Sequence, residues 1–187
     1  MQRQTVNSLV KASIFTMGAI ALMAGTASAQ TTVTLPDTSQ TTVLTAVVNE
    51  QARVTFPSGV TFNVNDVGNA TSSSAAAVTI SNIVLSTATK QLKVSLQSDA
   101  AAFTAPASGA TTWSAGDVSW NAASWTSATG ASGTLSNSSY NTVATCAADA
   151  ANCATTGLVF TLGAKSSVQR AGNHVLTVRW KVESIGS

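Results

Sequence analysis

A spacing of two governs this chain. From residue 31 onward, apolar residues recur at every second position in short runs, and Gly, Pro, Asn, Asp and Ser separate the runs. Successive side chains of an extended backbone point to opposite faces, so alternation gives one face to a core and the other to water. The residues between the runs supply the reversals that antiparallel strands need. Thr and Val are abundant, which suits strands, and long patterns of Glu, Lys, Leu and Arg at helical spacing are missing. The expected fold class is all-β, a single antiparallel β-sandwich of about seven to ten strands.

The runs differ in quality. "TTVTL" (31–35) is a weak first strand stopped by Pro36-Asp37, and "TVLTAVV" (42–48) is a stronger one. "ARVTFPSGVTFNV" (52–64) reads as a hairpin turning at Pro57-Ser58-Gly59. In "AVTISNIVLS" (77–86) the apolar parity changes, from Val78 and Ile80 to Ile83 and Leu85. A period of two survives that change only through a bulge or break near Ser81-Asn82. "KQLKVSLQS" (90–98) alternates cleanly, with Leu92, Val94 and Leu96 inward. Residues 100–157 are looser, with strands expected at 117–121 and 139–145. Two further strands are expected at 157–163 and 173–185.

Residues 1–29 read as a cleaved signal peptide rather than as part of the fold. Arg3 and Lys11 precede or open an apolar stretch from Ala12 to Ala24, and Ala27-Ser28-Ala29 forms an A-x-A cleavage site. The stretch is shorter than the ~20 residues of a spanning helix. The expectation is a secreted or cell-surface domain, 30–187, with no membrane span in the mature chain. Of nine basic residues, Arg3 and Lys11 belong to the leader, which leaves seven against seven acidic ones. That balance does not favour nucleic acid or anionic membrane as a partner. Cys146 and Cys153, in "TCAADAANCAT", are expected to form a disulfide in an exported protein. With His174 the only histidine, a zinc site lacks ligands, and no metal or other cofactor is expected.

The inventory for catalysis is short. The carboxylates Asp37, Glu50, Asp66, Asp99, Asp117, Asp149 and Glu183 are scattered, and His174 has no Ser, Cys or Asp motif beside it. A triad or carboxylate dyad would have to be assembled by folding alone, so the chain is not expected to be an enzyme. The best ligand-site candidate is "TTWSAGDVSWNAASWTS" (111–127), where Trp113, Trp120 and Trp125 form a candidate stacking platform for sugar rings. Burial in the core is the competing fate of these rings. A secreted carbohydrate-binding or adhesive module, with a glycan as partner, is therefore the alternative function. "NVNDVGN" (63–69) is better read as a polar turn than as a calcium site, since it carries one carboxylate.

The cleanest strand pattern comes last. Leu176, Val178, Trp180 and Val182 alternate with Thr177, Arg179, Lys181 and Glu183, an apolar row that buries one face and leaves the other in water. Ala171-Gly172 precedes it, with the apolar residues four, six, eight and ten positions after Gly172. This arrangement resembles the terminal strand of bacterial fimbrial subunits, including the spore-coat-U-like secreted pilins. Some fourteen residues carry the resemblance. It departs from that family at Ser184, where an aromatic is usual, and in lacking the family's widely spaced early cysteine pair. The resemblance implies an incomplete immunoglobulin-like sandwich whose last strand is held by an assembly chaperone and then completed by a neighbouring subunit's N-terminal strand. In this chain Gly172, Leu176, Val178, Trp180 and Val182 would form the partner-binding strand, and Val33 and Leu35 the donor segment. The expected function is a structural subunit of a surface fibre or pilus-like assembly, self-associating or joined to other surface proteins.

Overall fold

The computed structural model of the chain describes residues 30–186, and the expected signal peptide lies outside the described residues. Two units divide between Thr45 and Ala46. In the first, residues 30–45 belong to no strand or helix and are almost entirely exposed. Asp37 closes a turn there, accepting from the Ser39 N–H at 2.9 Å and from the Gln40 amide at 2.8 Å. The strands expected at 31–35 and 42–48 are not formed. A strand needs a neighbour to meet its N–H and C=O groups, and none of the described residues pairs with either run.

The second unit is all-β. Its strands are β1 (Gln51–Thr55), β2 (Thr71–Ser72), β3 (Ala76–Val84), β4 (Gln91–Ser98), β5 (Val118–Trp120), β6 (Ala128–Gly130), β7 (Gly133–Thr134), β8 (Asn141–Cys146), β9 (Cys153–Leu158), β10 (Phe160–Leu162) and β11 (Val178–Ile185). Every pairing between them is antiparallel. They form three sheets, ordered β1-β3-β9, β2-β10-β5-β7 and β11-β4-β8-β6. The number exceeds the expected range because several strands of two or three residues are too short to show a period.

Alternation decides the core. Val78 and Ile80 of β3, Leu92, Val94 and Leu96 of β4, and Val143 of β8 are buried together with Leu158, Phe160 and Leu162. The parity change in β3 is a bulge. Asn82 takes a φ of 51°, and the β1–β3 register shifts between Gln51 and Arg53. Asn tolerates the left-handed region better than most residues. The disulfide between Cys146 and Cys153 is formed, with a Cα–Cα distance of 5.9 Å. It joins the end of β8 to the start of β9, which lie in different sheets, and so pins the corner where the chain crosses between them.

The expected hairpin at 52–64 forms only in its first arm. After Thr55 the chain enters no sheet until Thr71, although Phe56, Val60, Phe62 and Val64 still pack partly against the core. Pro57 has no N–H to give a ladder, and the alternation that follows places side chains without pairing backbone.

Candidate functional site

The least covered part of the apolar core lies beside β11, in a seam along that strand. Strand β11 lies at the end of its sheet and pairs on one side only, in an unbroken register with β4 from Val178↔Ser98 to Ile185↔Gln91. Its apolar row faces the core but is not closed over. Leu176, Trp180 and Val182 are only partly buried, and Val178 is 37% exposed. Their register neighbours on β4 are sealed, with Leu96 opposite Trp180 and Val94 opposite Val182 both at 0%. Two adjacent strands with the same pattern thus differ in what covers them.

Strand β1 forms the other lip. Glu50, at its entry, accepts from the Ser86 N–H at 2.9 Å and from Lys90 at 2.8 Å, next to Gln91 where β11 ends its ladder. Phe56, at its exit, stacks on Trp180 with ring centroids 4.4 Å apart and planes 10° from parallel. These contacts bring β1 alongside β11. Yet β1 pairs only with β3, β11 only with β4, and among the described residues no backbone hydrogen bond crosses between them. Each of the two strands therefore has one edge without a ladder.

The charges of β11 and at Glu50 are paired within this unit. Glu183 meets Lys93 at 2.7 Å as well as Lys181, and the two lysines hold its carboxyl below the usual range, Lys181 contributing more. Arg179 pairs with Asp99, which raises the guanidinium's pKa further. Lys181 also lies over the Tyr140 ring at 5.6 Å. The Lys90 ammonium and the Ser86 contacts lower the Glu50 pKa to about 2.

Gly172 has a φ of 130°, and a Cβ there would stand 2.8 Å from the Pro106 Cβ. Glycine is therefore required both by conformation and by space. Val33 and Leu35 are 37% and 83% exposed and belong to no strand.

The three tryptophans do not share a surface. Trp113 and Trp120 are 4% and 3% exposed, and their indole N–H groups donate to the Gly163 and Ala131 carbonyls at 2.9 and 3.0 Å. Both rings belong to the core, which leaves them no face for a sugar to stack on. Trp125 packs partly against that core. His174 is similarly occupied. Its Nε2–H donates to the Arg170 carbonyl at 3.1 Å, and its Nδ1 hydrogen-bonds the Thr112 hydroxyl at 2.7 Å. Both ring nitrogens thus tie loops together. Asp66 accepts from the Gly68 N–H at 2.8 Å and from the Asn69 amide at 2.6 Å, a local polar turn.

Sequence reading missed Phe56 and Glu50 as lips of the seam. Only the alternation from Val54 through Phe56 hinted at Phe56, and nothing signalled the Glu50–Lys90 contact, whose partners are forty residues apart. No family model, curated protein or solved structure matches the chain.

Proposed function

We propose that this chain is a non-enzymatic structural subunit of an exported surface fibre, and that its immunoglobulin-like sandwich is completed by a strand supplied from outside. The observation that carries the reading is the seam. Strand β11 offers eight residues of unpaired edge, and the apolar row beneath it stays half-covered. Strand addition there would seal Val178, Trp180 and Val182 and would satisfy backbone groups on β1, β11 or both. The resemblance of Gly172 and the row after it to fimbrial terminal strands points the same way. The burial of Trp113 and Trp120 weighs against the glycan-binding reading, since of its three rings only Trp125 keeps part of its surface open.

The test is assembly. Protein purified from producing cells is expected to form polymers whose size rises with concentration and which persist in detergent, with matching filaments on the cells. A strictly monomeric protein across a wide concentration series, with bare cells, overturns the proposal.

A further inference from the structure

We infer that the strand filling the seam is residues 42–48 of a second copy of this chain, an assignment that rests on the strand-complementation reading above. Val43, Leu44, Val47 and Val48 are 88%, 92%, 82% and 70% exposed. A soluble monomer rarely keeps so many large aliphatic side chains together in water without a use for them. In an extended segment Val43 and Val47 stand on one face, and Leu44 and Val48 on the other. A strand that is apolar on both faces is one that is covered on both sides. Among the described residues, nothing pairs with the backbone of 42–48.

Length and charge also match. The segment has seven residues and the β11 edge eight. No charged residue occurs from Thr38 to Asn49, so the segment enters the seam without burying a charge. Along the β11 lip the charges are already matched, because Arg179, Glu183 and Glu50 have partners, and Arg53 on β1 is exposed to water. The earlier segment is the poorer fit. Beyond Leu35 stands Pro36, which has no N–H for a ladder, and the Asp37 turn follows at once.

Three forms of the chain are compared by sedimentation velocity over a concentration series: wild type, Leu44→Asp/Val47→Asp, and Val33→Asp/Leu35→Asp. The first variant puts one charge on each face of the segment. It is expected to weaken assembly by at least about a hundredfold, while the second assembles as wild type does. Leu44, Val47 and Leu35 are mostly exposed, so the circular dichroism of both variants should match wild type. The first variant keeps its own seam, so added in small amounts it should shorten wild-type polymers by capping one end. Full assembly of Leu44→Asp/Val47→Asp, loss of assembly in both variants, or no shortening by the first overturns the assignment to 42–48 and leaves the seam reading standing. A wild type that never polymerises overturns the seam reading itself.

Discussion

Gly133→Ala tests whether Trp120 is a core ring or a ring that can swing out. Gly133 of β7 and Trp120 of β5 are register partners, and the indole lies across the glycine. A Cβ at 133 would stand 2.4 Å from Cζ2, 2.8 Å from Cε2 and 3.0 Å from Cη2 of that ring. Carbon atoms settle at about 3.5–4.0 Å, so the overlap is more than ~1 Å. The ring has little freedom to yield. Its N–H is bonded to the Ala131 carbonyl at 3.0 Å, and Phe160 meets it edge-on at 6.5 Å. Overpacking of this kind costs about 1–3 kcal/mol, and a ring that moves away from Ala131 adds about 1–3 kcal/mol for the buried N–H left unpaired. The expected loss is about 3 kcal/mol, read from urea unfolding followed by tryptophan fluorescence. Gly116→Ala is the control, since a Cβ there meets nothing within 4 Å. A Gly133→Ala protein within about 0.5 kcal/mol of wild type refutes the reasoning. It would mean that Trp120 leaves its site at little cost and that the glycan-binding reading deserves to return.

Two further outcomes follow from the same geometry. The disulfide closes a loop between residues seven apart, so Cys146→Ala/Cys153→Ala should lose about 2–3 kcal/mol of stability on the chain-entropy account, and wild type in reductant should show a similar drop in urea midpoint. Glu50, held down to about 2 from an ordinary 4.5, contributes stability that is present above pH 4.5 and fades as pH falls through 2. Unfolding measured between pH 5 and pH 2 should therefore show a shallower acid limb in Glu50→Gln, with Glu183 and Asp117 supplying the limb that remains.

Alternation told which faces are apolar, and it did so well. The inward residues of β3 and β4 were legible, and the bulge at Asn82 followed from a parity change that no regular strand allows. Coverage was not legible. Val94 and Val182 sit in the same pattern and are register partners, yet the first is sealed and the second half-open, because β4 is flanked on both sides and β11 on one. The same gap explains 42–48, which has a strand's composition and no ladder: pairing is a property of the neighbour. Trp113 and Trp120 were ambiguous for a related reason. Their fate turned on the Gly163 and Ala131 carbonyls, and on a glycine at 133 with room for an indole.

The character of the β11 edge bears on the proposed partner strand. Exposed edges invite stray pairing, and proteins blunt them with proline, bulges or charges. Strand β11 has no proline. Of the four long ladders, β1–β3, β3–β9 and β4–β8 all contain a register shift, whereas β4–β11 has none. Its charges, Arg179, Lys181 and Glu183, are all held in ion pairs with neighbours in the same unit. Phe56 stacks on Trp180. The longest unbroken ladder in the unit therefore ends in an edge strand, while the exposed aliphatic run at 42–48 has no ladder among the described residues. For a lone monomer each feature is an aggregation hazard. When the run of one copy enters the seam of the next, every interior subunit loses both hazards at once, and the regularity that makes β11 a liability in isolation makes it a template with a single register.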